Sequence, residues 1–352
     1  VLKEVAWLKK NENCTFTILT VHAGLECGLA GCLERGDKAE VLMLLESIPE
    51  HTLDAVIAGH THMPAQEVIR GTPVIEAGAY SKIVGVLRLS KSKHEFLPFI
   101  KIPEKLSPEQ AKQVADITDL MAPYRSAADE IKGRKVSVAE DKFSKLYSAE
   151  NALGNMIADA VRLESSKVAA VDFAMVNSGG IRADLPQGDL TYGDVFRVMP
   201  FDNSLAIVDI KGSELLELLN IAQSGGHGLS PVSGIQLERL NAAPGQTGPF
   251  SRDLNKDGKK EDWERKLVLK TLTQANQKIL PNTVYKLATS DFLVSGGDHQ
   301  AYIYDKIPAS RKKLYPGIWI RDLIVAHLSA KKSVKTTEYF NASQPRIKNR
   351  TP

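Results

Sequence analysis

The chain has 352 residues, of which 43% are hydrophobic and 25% are charged, as is typical of a folded protein with about two domains. Its formal net charge of +3 is too small to indicate a nucleic acid or a membrane surface as its partner. No apolar run approaches the roughly 20 residues that a membrane-spanning helix needs, so we expect no membrane span.

Two short apolar segments in the first part of the chain end in histidine. We predict one strand over 15–21, which ends at His22, and a second over 53–58, which is followed by Gly59-His60-Thr61-His62. Adjacent strands of this kind point their histidines at one edge of a sheet, and neutral imidazoles are ligands that first-row metal ions prefer. A hydrogen-bonded loop residue is the alternative for each histidine.

The next segment, 103–133, is polar and has a helical pattern. Ser107 is predicted as an N-cap, with Pro108 at the first helical position and Gln110 three residues after the cap. We interpret the segment as a helical connector between two domains, although a surface helix of a single domain has the same pattern. From residue 134 onward, strands alternate with helices, which indicates an α/β unit.

Three loops of this unit have residues suited to a small ligand. In 177–182 a glycine pair lets backbone N–H groups approach an anion, and Arg182 adds a planar fork for phosphate or carboxylate. Phe201 and Phe292 lie in polar loops and can stack on a planar base, while Asp298 can accept hydrogen bonds from ribose hydroxyls. The alternatives are that the glycines form ordinary turns and that the phenylalanines are core plugs, that is, side chains that cover the hydrophobic core.

A separate pattern, Asp-x-Asn-x-Asp-Gly with a carboxylate at position twelve, begins at residue 253. This is the pattern of an EF-hand calcium loop, although the flanking segments do not have the pattern of two helices. A charged surface turn is the alternative. The predicted calcium ligands are the side chains of Asp253, Asn255, Asp257 and Glu264 and the carbonyl of Lys259.

Residues 54–62, followed by 71–78 and 84–89, resemble the end of a calcineurin-like metallophosphoesterase domain. The resemblance implies two divalent metal ions, zinc, manganese or similar, of which His22 and His60 bind one and His62 binds the other. Such a pair activates a water molecule and holds phosphoryl oxygens. The family's earlier Asp-x-His and Gly-Asn-His-Asp/Glu motifs do not occur in the chain. We therefore expect a fragment of a longer enzyme or, alternatively, a natural protein without the first half of this metal site.

Residues 134–345 resemble the C-terminal domain of the 5'-nucleotidase family, which carries Asn-x-Gly-Gly-Ile-Arg, Pro-Phe-x-Asn and Phe-Leu-x-x-Gly-Gly-Asp in this order. The resemblance implies that Phe201 and Phe292 stack on the base, that Asn203 contacts the base edge and that Asp298 holds the ribose. The family often has a further arginine within the stretch that matches 145–150, which contains none here, so a substrate other than AMP stays open. The implied substrate-binding residues are Asn177, Gly179, Gly180, Arg182, Phe201, Asn203, Gly234, Phe292 and Asp298.

The sequence thus predicts an α/β protein in three parts. These are a partial metallophosphoesterase sandwich over 1–102, a helical connector over 103–133 and a complete α/β nucleotide-binding domain over 134–352. The predicted function is metal-dependent hydrolysis of nucleotide phosphoesters in the intact parent protein, whereas the chain itself binds nucleotide without turnover. By resemblance, we expect a periplasmic, cell-surface or secreted location.

Three other functions stay open. The first two, within the same superfamily, are 2',3'-cyclic nucleotide phosphodiesterase and UDP-sugar hydrolase. The third is a non-catalytic nucleotide-binding surface protein. An enzyme acting on a thiosulfate-type carrier adduct is disfavoured, because Phe201 and Phe292 together indicate a base.

Overall fold

The structure is a computed structural model that describes residues 1–12, 14–25, 40–91, 93–225, 227–240, 252–256, 258, 260, 262–273 and 277–350. The chain divides into two compact units, a first unit of Val1–Leu120 and a second unit of Met121–Pro352. Within the described residues, no helix has both the length and the apolar character needed to cross a membrane.

The first unit contains a four-stranded sheet, a two-stranded hairpin and helices. Its elements are α1 Leu2–Asn11, β1 Ile18–Thr20, α2 Glu40–Ser47, β2 Ala55–Ala58, β3 Pro64–Ile69, β4 Thr72–Ala77, β5 Ile83–Leu89, β6 His94–Lys101 and α3 Pro108–Gln113. The sheet has the order β1-β2-β4-β3, and β5 and β6 form the hairpin. Strands β1, β2 and β4 run parallel, and their apolar residues pack against helix α2 in one core cluster.

The predicted helix start at Ser107 is present. The Ser107 hydroxyl accepts a hydrogen bond from the Gln110 N–H at 3.2 Å, and the Gln110 side chain accepts one from the Ser107 N–H at 2.9 Å. Helix α4, Ala115–Gly133, follows and has no buried residue. The border between the two units falls inside α4, at Leu120 and Met121. The borders proposed from the sequence, at 102/103 and 133/134, stay predictions.

The second unit contains a five-stranded sheet with the order β11-β8-β14-β10-β15, a three-stranded sheet with the order β13-β12-β16, and the pair β7-β9. The strands are β7 Lys135–Ala139, β8 Phe173–Met175, β9 Gly188–Thr191, β10 Ser204–Lys211, β11 Val232–Ser233, β12 Ile235–Leu240, β13 Val268–Thr273, β14 Val284–Ser290, β15 Lys312–Trp319 and β16 Ile347–Arg350. The helices are α5 Ala152–Ser165, α6 Tyr192–Val198, α7 Gly212–Ala222, α8 Asp291–Val294, α9 Ala301–Tyr304, α10 Ile320–Ser329 and α11 Thr336–Tyr339.

Both faces of the five-stranded sheet are covered, which explains why consecutive apolar residues of its strand β10 are all buried. Side chains alternate between the faces of a strand, so Leu205 and Ile207 of β10 pack with α5 and α10, whereas Val208 and Ile210 pack with α7. This arrangement of a mixed sheet between helices confirms the α/β class predicted from the sequence.

Strand direction brings three loops to one edge of this sheet. Strand β8 runs parallel to β14, with Ala174 opposite Ala288, and β10 runs antiparallel to β14, with Leu205 opposite Ser290. The loop after β8, the loop before β10 and the loop after β14 therefore leave the sheet on the same side. We call this side the loop edge; its loops are residues 177–182, 200–203 and 291–298.

Candidate functional site

In the first unit, two predicted metal ligands lie in contact. Because β1 and β2 are parallel, the segments that follow them leave the sheet together, and the Gly59 N–H donates to the Ala23 carbonyl at 2.9 Å. His22 Nε2 and His60 Nδ1 are 3.2 Å apart, and their rings meet edge to face with centroids 4.9 Å apart. The structure thus places His22 and His60 at one position on the sheet edge.

The third predicted ligand, His62, has a different neighbour. Its ring packs edge-on against Tyr80, with ring centroids 5.4 Å apart. His60 and His62 both have left-handed backbones, with φ of 79° and 62°, a conformation that costs about 1–3 kcal/mol for residues other than glycine. Across the described ranges, no group of three or more His, Cys, Asp or Glu side chains is arranged to hold a metal ion. The metal assignments of the three histidines stay predictions.

A buried carboxylate that the sequence analysis did not single out joins the two histidine loops. Glu76 is 0% exposed, and it accepts hydrogen bonds from the Thr61 hydroxyl at 2.7 Å and from the Leu25 N–H at 3.2 Å. Gly24 makes the close approach possible, because a Cβ at this position would lie 2.4 Å from the Gly59 carbonyl oxygen. The available signal was an acid at the end of the apolar strand β4.

Glu40, at the start of α2, is a second residue that the sequence analysis missed. Its Oε1 lies 3.9 Å from His60 Nε2, and its Oε2 accepts a hydrogen bond from the Gly24 N–H at 3.3 Å. Glu40 therefore places a carboxylate beside His60 and joins the start of α2 to the segment that follows His22.

In the second unit, the first loop of the loop edge folds around Asn177. The Asn177 side chain is almost fully buried, and a Cβ on Gly180 would lie 2.9 Å from its Oδ1, so a larger residue here would require the Asn177 amide to shift. Arg182 donates to the Gly179 carbonyl at 3.1 Å, and its guanidinium lies 5.7 Å from the centre of the Phe201 ring. The first and second loops are therefore in contact.

The second loop is hydrogen-bonded to α10, whereas its phenylalanine is exposed. Arg321, from α10, donates to the Asp202 carboxylate at 2.6 Å and to the Phe201 carbonyl at 3.4 Å, and the Asn203 carbonyl accepts the Ile320 N–H at 2.9 Å. Phe201 itself is 45% exposed, although its aromatic ring is large and apolar. Its exposure disfavours the alternative that this phenylalanine is a core plug.

The third loop contains Phe292 and Asp298. Phe292 is 40% exposed, and a Cβ on Gly297 would come within 2.4 Å of its ring, so the ring lies against the glycine backbone. The Asn177 side chain lies beside the Asp298 carboxyl and lowers its pKa, which places the third loop next to the first. The structure thus brings together the predicted residues of all three loops.

The carboxyl of Asp298 interacts electrostatically with several neighbouring side chains at the loop edge. Burial raises the pKa of this carboxyl, and this effect is opposed by the nearby His227 and His299 and by the Asn177 side chain. Burial and then the charge of Asp298 also raise the pKa of the Tyr147 phenol. Tyr147 belongs to the stretch without an arginine, and the sequence analysis assigned no role to it or to His227.

Gly234 does not lie at the loop edge. Strand β11 runs antiparallel to β8, with Val232 opposite Met175, so the residues before β11 approach the loop edge and those after it point away. A Cβ on Gly234 would lie 2.4 Å from the Asp172 carbonyl oxygen, which precedes β8. Gly234 instead lines a separate cavity of about 190 Å³, together with Gln236, Glu338, Tyr339 and Arg346.

The proposed calcium loop is described in part. The Gly258 N–H donates to Asp253 Oδ2 at 3.0 Å, and the fully buried Glu264 accepts from the N–H groups of Leu254 at 2.5 Å and Asn255 at 3.2 Å. Glu264 therefore closes the loop, and calcium binding stays a prediction. Two of its predicted ligands, Asp257 and Lys259, lie outside the described residues.

Comparison with known proteins agrees with the geometry of the second unit. Residues 131–304 match the family model described as "5'-nucleotidase, C-terminal domain". The chain is 30% identical over 272 residues to the trifunctional nucleotide phosphoesterase protein YfkN of Bacillus subtilis, and this alignment covers 70% of this chain and 17% of that protein. It is 29% identical over 259 residues to a 5'-nucleotidase of Vibrio parahaemolyticus, and this alignment covers 62% of this chain and 44% of that protein.

Among solved structures, a 5'-nucleotidase precursor from Thermus thermophilus has a similar fold, with a TM-score of 0.66 and 20% identity. The alignment covers 99% of this chain and 66% of that one. Residues 131–304 thus belong to the 5'-nucleotidase C-terminal domain family, which confirms the resemblance noted in the sequence. The chain spans less than half the length of the two curated relatives described above.

The role of Glu76 can be tested by its removal. Glu76→Ala leaves the Thr61 hydroxyl and the Leu25 N–H without their buried acceptor, so we expect unfolding of the first unit to become easier by about 1–3 kcal/mol. Urea denaturation followed by circular dichroism measures the change. Glu95→Ala, which removes an exposed carboxylate from the β5–β6 hairpin, is the matched control and should cost less than about 1 kcal/mol. Equal losses in the two variants would contradict the role given to Glu76.

Proposed function

We propose that the second unit binds the nucleoside part of a nucleotide at the loop edge, as part of a protein that hydrolyses nucleotide phosphoesters. The observation that carries this proposal is the convergence of exposed Phe201 and Phe292 with buried Asn177 and half-buried Asp298 on one side of one sheet. Membership in the 5'-nucleotidase C-terminal domain family supports it.

The chemistry of the loop edge suits a nucleoside. Aromatic rings that are exposed in loops stack on a base, each contributing about 1–3 kcal/mol. The Asp298 carboxylate accepts hydrogen bonds from ribose hydroxyls, and the Asn203 amide contacts the edge of the base. Arg182 and the backbone of Gly179 and Gly180 face the anionic side of the ligand.

The histidine pair suits a divalent metal ion. Two imidazole nitrogens bound to one tetrahedral zinc ion at about 2.0–2.1 Å are about 3.3–3.4 Å apart, close to the 3.2 Å between His22 Nε2 and His60 Nδ1. We propose that these two residues hold one metal ion and that His62 belongs to the second. When bound, such a pair of ions activates water and neutralises phosphoryl charge. Glu40 and Glu76 hold the segments that follow His22 and His60 close together.

We further propose that the chain as given binds nucleotide without turnover. The Asp-x-His and Gly-Asn-His motifs that carry the family's other metal ligands are absent from these 352 residues, so the predicted ligand set is incomplete. Release of phosphate from AMP, followed with zinc or manganese present, should stay at background. Activity that a chelator and His60→Ala both abolish would contradict this proposal. Export to the periplasm, cell surface or medium also stays a proposal, based on resemblance alone.

The stacking role of the phenylalanines predicts a large effect on nucleoside affinity. We expect Phe201→Ala and Phe292→Ala each to weaken adenosine binding about 5- to 150-fold, because each removes one stacking surface. Calorimetric titration measures the affinity. Tyr124→Ala removes an exposed ring from α4 and should leave it unchanged. The proposal fails if adenosine does not bind to the unaltered chain, or if both phenylalanine variants bind it as tightly as that chain.

The position of Asp298 predicts a pH dependence. Its carboxyl accepts from ribose hydroxyls as the charged form, and burial raises its pKa, so adenosine affinity should fall with decreasing pH sooner than an ordinary aspartate would require. Above the raised pKa the affinity should be constant. Asp298→Asn should bind more weakly at high pH and lose this part of the pH dependence. Titrations between about pH 8 and about pH 4 measure it, and an identical profile in the variant would contradict the assignment.

A further inference from the structure

The turn that carries Asp298 has a strained backbone. Asp298 and His299 have φ of 53° and 60°, in the left-handed region, and Gly296 before them has φ of 105°. Such a conformation is unfavourable for residues other than glycine, so contacts elsewhere have to hold the turn in place. These contacts determine where the Asp298 carboxylate points.

Two rings hold His299. The indole of Trp263 stacks on the imidazole with centroids 4.9 Å apart and planes within 8° of parallel. The ring of His227 lies 4.9 Å from the same imidazole at an angle of 42°. Trp263 is only 5% exposed, so it provides a rigid surface on which the strained turn rests.

His227 also approaches the carboxylate itself. Its Nδ1 lies 3.8 Å from Asp298 Oδ1, while the Asn177 side chain lies beside the same carboxyl. Asp298 is therefore approached by polar groups from two different loops. Neither His227 nor Asn177 belongs to the turn that carries Asp298, so both act on it from outside.

The position of His227 is fixed by the segment that follows it. Gly228 has φ of 80°, and a Cβ there would lie 2.7 Å from the Tyr147 carbonyl oxygen and 3.0 Å from Ser178 Cβ. The Leu229 N–H donates to the same Tyr147 carbonyl at 2.9 Å. The segment is thus packed between Tyr147 and the first loop of the loop edge, which leaves His227 little freedom.

We propose that His227 is a positioning residue that, with the Trp263–His299 stack, aims the Asp298 carboxylate at the ribose hydroxyls and so makes the site selective for ribonucleosides. The inference rests on the proposed function, since it takes Asp298 as the ribose acceptor. It goes beyond that function because it assigns selectivity for the 2' and 3' hydroxyls of the sugar to residues that need not contact the ligand.

The test compares adenosine with 2',3'-dideoxyadenosine, which keeps the base and lacks the 2' and 3' hydroxyls of the ribose. In the unaltered chain, calorimetric titration should show adenosine binding at least about 10-fold more tightly, as expected for hydrogen bonds to a charged group. His227→Ala should bring this ratio close to one and leave the affinity for the dideoxy compound unchanged. His227→Gln, which keeps a polar side chain, should restore part of the ratio. His94→Ala, which alters a histidine of β6 in the other unit, should change nothing.

Three results would overturn the inference in different ways. If the unaltered chain binds both compounds equally, Asp298 is not the ribose acceptor, and the ribose assignment of the proposed function fails with the inference. If the unaltered chain discriminates and His227→Ala still does so, only the inference fails. A loss of affinity for both compounds in His227→Ala would indicate a merely structural role and would also overturn it. Trp263→Phe, in which a smaller ring remains to support His299, gives an independent reading should His227→Ala not fold, and should lower the ratio in the same way.

Discussion

The pairing of β8, β14 and β10 is the constraint on which the rest of the second unit depends. Because β8 and β14 are parallel and β10 is antiparallel to both, the ends of two strands and the beginning of the third meet at one sheet edge. Arg182 and Phe201, 19 positions apart, and Asn177 and Asp298, 121 positions apart, are thereby brought close together. Helices on both faces of the sheet keep this register rigid, since a shift by one residue would move each side chain to the opposite face, where it no longer fits the side chains packed there.

The same principle operates in the first unit, with different chemistry. Parallel pairing of β1 and β2 places His22 and His60 at one edge, and the buried carboxylate of Glu76 ties the segments that carry them. In both units the chemically useful side chains lie on loops, while the strands that support these loops are apolar. In both units a buried or half-buried carboxylate, Glu76 or Asp298, fixes how the loops approach each other.

The sequence was informative where a local pattern is enough. Alternating strands and helices predicted the α/β class, and the three motif-bearing loops around Asn177, Phe201 and Asp298 do meet. Local patterns do not show strand direction, however, and strand direction decided the outcome for Gly234. Gly234 follows β11, and the antiparallel pairing of β11 with β8 carries it away from the loop edge. For the same reason the residues before β11, including His227, approach the edge without any motif to announce them.

We propose that a nucleoside binds at the loop edge between residues of its three loops, and a crystal structure of the chain grown with adenosine would show whether it does. The purine should lie against the rings of Phe201 and Phe292, with a ribose hydroxyl within about 3 Å of the Asp298 carboxylate. Adenosine bound elsewhere, for example in the cavity lined by Gly234, Tyr339 and Arg346, would contradict it.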